Sequence, residues 1–183
     1  MNAREQAQKA LWSSFFATEG ERAHVMAQDQ VAINSGASRQ TTELLGCWVG
    51  PEEYAIEIAH IQEIVKVPVL TRVPRTRPMV LGITSLRGII VPVIETRQLL
   101  KVPSAEISRQ SRILVLRAGD RPLGLLVDRI TQVLRLEADA LEAKPKSLRR
   151  GAGEYVRQVG RAGSHLVLVL DVELLLESLE SLL

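Results

Sequence analysis

The chain has 183 residues, a formal net charge of +2 and one cysteine, Cys47. That length buries a core in one domain or two small ones, and a single cysteine excludes an internal disulfide. No stretch approaches the ~18 consecutive apolar residues of a membrane helix. Residues 1–10 are polar where a secretory signal has its apolar run, so a cytoplasmic protein without membrane insertion is expected.

The charge is uneven. Residues 44–170 hold 19 basic and 12 acidic side chains, whereas residues 171–183 hold four acidic and no basic ones. A basic body suits nucleic acid or acidic protein partners. Few aromatic residues interleave with the basic ones as stacking platforms would require, so protein partners are the expectation.

Residues 1–42 differ in composition from the rest of the chain and contain, near their end, the linker-like run Asn34-Ser35-Gly36-Ala37-Ser38. They are expected to form a largely flexible extension. Leu11, Trp12, Phe15 and Phe16 share one helical stripe, so a short helix near residues 9–17 is also expected, either nascent or docking on the body or a partner. Residues 43–183 form the folded body.

Residues 44–49 and 54–58 read as two strands of a hairpin around Gly50-Pro51. Ile58, Ile61 and Ile64 then recur at helical spacing, which predicts a short helix. Pro68, Pro74 and Pro78 mark a long loop carrying Arg72, Arg75 and Arg77. Residues 80–84 and 89–94 read as strands around a turn at Leu86-Arg87-Gly88, with Pro92 marking an edge or bulge. A helical turn is expected at 97–100 and further strands at 113–117, 123–127 and 130–134. A basic, mobile loop is expected at 144–154, then a buried strand at 166–170. Asp171 can cap a last helix whose apolar stripe is Leu175, Leu179 and Leu182. Many short strands with frequent turns predict small barrels.

No catalytic constellation is legible. There is no phosphate-wrapping glycine loop and no nucleophile elbow. His24, His60 and His165 stand far apart in sequence and away from Cys47, which reads as a small core side chain. Asp128 and Asp171 each end a strand and read as cap or turn residues. Neither enzyme activity nor a metal or cofactor is expected.

Three segments narrow the function. They are Tyr54-Ala55-Ile56-Glu57-Ile58 with Ile61-Gln62-Glu63-Ile64; Gly82-Ile83-Thr84-Ser85-Leu86-Arg87-Gly88-Ile89-Ile90-Val91-Pro92-Val93; and Gly124-Leu125-Leu126-Val127-Asp128. Their order and character resemble the CheW family, the second being similar to its G-V-x-N-L-R-G-x-I-V-P-V signature. Ser85 replaces the usual asparagine, and Glu95-Thr96-Arg97 stands where Asp-Leu-Arg is common.

The resemblance implies a mainly β fold: two small five-stranded β-barrels packed together, with short edge helices and a C-terminal helix. It implies a non-enzymatic adaptor. The expected partners are the cytoplasmic tip of a methyl-accepting chemoreceptor and the regulatory domain of a CheA-type histidine kinase, with other CheW-like domains in an array. The alternative is an accessory protein of a variant chemosensory pathway that binds only one of them. Residue by residue, Glu63 and Arg87 match a neighbouring pair beside the receptor-binding surface. Ile61, Ile64 and Gly82 match positions around a hydrophobic groove, and Val133 can line it from the second half.

Overall fold

The computed structural model describes residues 41–118, 121–148 and 151–180. The expectations for the first 40 residues and for Leu182 lie outside them. Eleven strands are described: β1 (Thr41–Val49), β2 (Glu52–Glu57), β3 (Ile61–Lys66), β4 (Val80–Leu86), β5 (Ile89–Glu95), β6 (Arg112–Ala118), β7 (Arg121–Val127), β8 (Arg129–Glu137), β9 (Leu141–Ala143), β10 (Val156–Ala162) and β11 (His165–Leu170). Two helices accompany them: one turn, α1 (Thr96–Leu99), and a terminal helix, α2 (Val172–Glu180).

The strands form two sheets, one ordered β8-β1-β2-β11-β10-β9 and the other β3-β6-β7-β5-β4. The expected mainly β architecture is borne out. The sixth strand of the first sheet is the three-residue β9, which the sequence pattern does not mark.

The sheets are not successive halves of the chain. The first takes its strands from both ends, joined where β2 and β11 run parallel with Leu168 opposite Tyr54. The second is the contiguous run β3 to β7, with β5 and β7 parallel. Pairing to β7 starts only at Val93. Pro92, which has no N–H to give, therefore sits where β5 is still an edge on that side.

Inside the first sheet, Leu44, Ala55, Leu134, Leu136, Val167 and Val169 form one buried cluster. Gly160 belongs there because a Cβ at this position would lie 2.6 Å from Leu136 Cδ1. In the second sheet, Val91, Val93, Ile113 and Val115 form another cluster. By strand alternation, Leu45 and Ile56 lie on the far face of the first sheet, and Leu114 and Leu116 on the far face of the second. All four are completely buried and are the faces left to pack the sheets together.

The helix expected after Ile58 is a strand. Only Ile58–His60 makes a 3-10 turn, and Ile61–Lys66 pairs antiparallel with β6. The register shifts by one between Ile61 and Glu63, so Ile61 lies opposite Leu116 and Ile64 opposite Leu114. That bulge puts two residues three apart on one strand face, which mimics helical spacing.

The basic loop is also more structured than its composition indicates. It contains 3-10 turns at Lys146–Leu148 and Gly151–Tyr155. Lys144 Nζ donates to the carbonyls of Gly153 and Glu154, at 3.0 and 3.4 Å. Asp171 caps α2 as expected, its Oδ1 accepting the Leu174 N–H at 3.1 Å. Leu175 and Leu179 are buried beneath the helix.

Candidate partner-binding surface

The turn between β4 and β5 has only two residues outside the ladder, because Leu86 pairs with Ile89. Arg87 and Gly88 both have positive φ, 50° and 83°, the backbone that matches the twist of a two-residue hairpin. Glycine adopts it freely, whereas arginine does so at a cost of about 1–2 kcal/mol. The arginine side chain, 85% exposed, reaches back so that Nη2 lies 3.1 Å from Glu63 Oε2, whose side chain is 21% exposed.

Glu63 stands opposite Val115 on the ladder and so shares a face with the cluster of Val91, Val93, Ile113 and Val115. Val65, Val67, Leu70, Leu81, Leu86 and Leu126 pack against this cluster while only partly buried. Beyond the turn, Ile89 and Ile90 are 52% and 64% exposed. The ion pair thus stands between a half-covered apolar cluster and two solvent-facing isoleucines. Such a surface suits a protein partner that buries apolar side chains and meets a charged rim.

The other expected site residues fall elsewhere. Ile61 is fully buried and Ile64 half-buried, both on the Leu114/Leu116 face, opposite the face of Glu63. Gly82 is buried with φ 152°, and a Cβ there would lie 2.5 Å from the Thr71 carbonyl oxygen. Thr71 and Ile83 exchange two backbone hydrogen bonds of 2.9 Å, so the space beside Gly82 is filled by the chain's own backbone. Val133 lies on β8 opposite Leu45, in the other sheet. The structure therefore joins Glu63 and Arg87 directly and distributes the remaining four.

A second charged group emerges that the sequence leaves unpaired. Arg97 on α1 grips Asp128 with two hydrogen bonds, Nε to Oδ1 at 2.8 Å and Nη2 to Oδ2 at 2.7 Å. The Gly50 N–H donates to the same Oδ2 at 2.7 Å, and Arg97 Nη1 donates to the Pro103 carbonyl at 2.6 Å. Asp128 is the junction between β7 in one sheet and β8 in the other. This cluster fastens the sheets to each other, and the side-chain hydrogen bonds that Arg97 donates to Asp128 hold the guanidinium's proton more tightly than usual.

Cys47 is completely buried, and burial, with the charges of Glu53 and Asp128, pushes its thiol up to about 12. It is a core side chain. Among the described residues, no three His, Cys, Asp or Glu side chains gather as metal ligands would, and no helix is long and apolar enough to cross a membrane.

Comparison with known proteins agrees with this architecture. Residues 43–180 match the CheW-like domain. The chain is 34% identical over 138 residues to the chemotaxis protein CheW of Klebsiella aerogenes, covering 75% of this chain and 83% of that protein. It is 33% identical over 140 residues to that of Helicobacter pylori, covering 76% and 84%. The crystal structure of the scaffolding protein TtCheW from Thermoanaerobacter tengcongensis has the same fold, with a TM-score of 0.67 at 23% identity, covering 72% of this chain and 89% of that one. On the family match and on relatives that share a third of its residues over most of their length, the chain belongs to the CheW-like domain family.

Proposed function

We propose that the protein is a non-enzymatic coupling adaptor that holds a chemoreceptor's cytoplasmic tip and a CheA-type histidine kinase's regulatory domain together in the cytoplasm. A chemotaxis scaffold role is supported by the relatives it matches. The observation that carries the finer reading is Arg87. The residue occupies a backbone position that costs about 1–2 kcal/mol for any residue with a Cβ. Its exposed ion pair contributes only ~0–1 kcal/mol. Stability alone therefore does not account for an arginine here, and a surface role does.

The test reconstitutes receptor, kinase and this protein and measures kinase autophosphorylation with and without receptor ligand. Control of the kinase should require the wild-type chain and be lost with Arg87→Glu. If the kinase responds equally well without this protein, the adaptor reading is wrong.

A further inference from the structure

We infer that the cavity between the segment before β4 and α1 binds a small phosphorylated sugar or polyol. This stands independently of the adaptor reading. The cavity measures about 440 Å³ and is lined by Arg72 and Arg77 from the segment, by Gln98 from α1 and by Ser104 from the loop after it. That volume encloses a ligand of this class.

The charge in the wall is positive and uncompensated. Arg72, Arg75 and Arg77 are exposed, and none makes a side-chain hydrogen bond or ion pair with another described residue. Arg87, Arg97, Arg135, Arg157 and Arg161 each meet a carboxylate. Arg112 is spent on two backbone carbonyls, and Arg129 lies over the Trp48 ring. Other surface arginines are unpaired as well; Arg72 and Arg77 differ in lining one shared cavity. Two planar forks of N–H donors suit the oxygens of a phosphoryl group.

The chain adopts an unfavourable backbone to bring the two together. Arg75 has φ 65° directly after Pro74, the left-handed turn position that glycine fills most readily. Across this turn Thr76 Oγ1 donates to the Val73 carbonyl at 3.0 Å. Thr71 exchanges two hydrogen bonds with Ile83 before the turn, and the Val80 N–H donates to Arg77 O after it. A backbone held at both ends leaves the guanidinium groups less freedom to lose on binding. Strained backbone of this kind gathers at ligand clamps.

The rest of the wall selects the ligand. Glu95, the acid that lines it, is 7% exposed and accepts from Gln98 Nε2 at 2.7 Å, and its charge acts on Arg97. It pairs with neither Arg72 nor Arg77. Among the described residues no partner occupies the Ser104 hydroxyl or Gln98 Oε1, so both can meet ligand hydroxyl groups. Val73, Pro78 and Leu81 supply an apolar stretch for the C–H face of a sugar ring or carbon chain. Among the described residues no aromatic side chain lines the cavity, so a nucleobase finds no stacking platform.

An occupant held by the arginines, Gln98 and Ser104 would join the segment before β4 to α1, whose Arg97 grips Asp128 at the seam between the sheets. Binding should therefore raise the melting temperature.

The experiment uses the full chain at constant ionic strength, with calorimetric titration and thermal melts. The probes are glycerol 3-phosphate, ribose 5-phosphate and fructose 1,6-bisphosphate, with fructose, sulfate and adenosine monophosphate as comparisons. At least one of the three sugar or polyol phosphates should bind with a Kd below about 1 mM and raise the melting midpoint. Fructose and sulfate should do neither, and adenosine monophosphate should bind more weakly. Arg72→Gln with Arg77→Gln should melt like the wild type without ligand and lose roughly tenfold or more in affinity. Arg117→Gln with Arg121→Gln, an equal loss of charge on the β6–β7 hairpin, should bind as the wild type does. The inference is overturned if none of the three binds up to about 10 mM, if sulfate or adenosine monophosphate binds as well as they do, or if the Arg72/Arg77 variant keeps wild-type affinity.

Discussion

Arg87 and Glu63 connect the two ends of one sheet. β3 and β4 are the outermost strands in the order β3-β6-β7-β5-β4 and do not pair with each other, yet Arg87 Nη2, from the turn after β4, lies 3.1 Å from Glu63 Oε2 on β3. The rim of the apolar cluster is thus closed by a charged contact rather than a ladder. A charged contact exchanges partners more readily than a buried one, since water screens it and its loss leaves no unpaired backbone group.

Arg87→Gly should accordingly fold at least as well as the wild type. Glycine relieves the left-handed backbone at φ 50°, and the exposed ion pair forfeits only ~0–1 kcal/mol. Arg87→Ala should melt within a few degrees of the wild type. Both should lose receptor control of the kinase in the reconstituted assay, and Arg87→Glu, which sets two like charges together, should be worse. Combining Arg87→Glu with Glu63→Arg should recover part of the control. A variant that unfolds, or one that couples normally, contradicts the role given to Arg87.

Gly82→Ala should behave in the opposite way. A Cβ at this position meets the Thr71 carbonyl, and φ is 152°. The Thr71–Ile83 pairing must open to admit it. A loss of more than about 1 kcal/mol is expected, seen as a fall in the midpoint of thermal or urea unfolding. If Gly82→Ala keeps full stability and loses only partner binding, the residue is a contact rather than a spacer.

The hairpins are legible in the sequence because each carries its own local chemistry: Gly50-Pro51 between two apolar stretches, and Arg87-Gly88 between two more. The Glu63–Arg87 pairing comes from resemblance to a family and not from periodicity, since the two residues lie far apart in sequence and on strands that do not pair. The strand at Ile61–Lys66 reads as a helix because its bulge gives Ile61 and Ile64 a spacing that a helix would share. The parallel pairings of β2 with β11 and of β5 with β7 are invisible for a different reason. Non-local pairing depends on which faces remain to be buried after the hairpins form, and no local pattern records that. The same holds for Arg97 and Asp128, 31 positions apart: each reads as an ordinary surface or turn residue until the fold brings them together.

Asp128→Ala should be among the most damaging changes to a charged residue in this chain. It would remove the acceptor for both Arg97 hydrogen bonds and for the Gly50 N–H and leave a guanidinium that is only 19% exposed without its partner. Charge-assisted bonds of this kind contribute about 1.5–3 kcal/mol each before coupling, so a loss of roughly 2–4 kcal/mol is expected for the partly exposed cluster. Differential scanning calorimetry should show a fall of about 5–15 °C for a domain of this size. Asp128→Asn should fall between the two, because the amide oxygen still accepts one bond. A melting temperature unchanged in Asp128→Ala would mean that the cluster does not fasten the sheets.

Alkaline pH should weaken the fold through Cys47 and Tyr54. Burial, with the charges of Glu53 and Asp128, moves the thiol from its ordinary 9.0 to about 12. Burial, with Glu52 and Cys47, moves the Tyr54 phenol from 10.0 to about 12. In both cases the folded state holds its proton where the unfolded chain has released it. The unfolded chain therefore binds fewer protons above about pH 9, and stability falls as pH rises from there to about 12. Below about pH 9 both groups are protonated in either state and contribute no slope. The loss is on the order of a few kcal/mol at the top of the window, and urea unfolding midpoints measured from about pH 7 to about pH 11 should be flat at first and then decline. The protonated, buried thiol should also resist Ellman's reagent at about pH 8 in the native protein and react in urea. Rapid labelling of the folded chain under those conditions, or a midpoint that stays constant across the whole alkaline series, would show that solvent reaches Cys47 and that its side chain does not belong to the core.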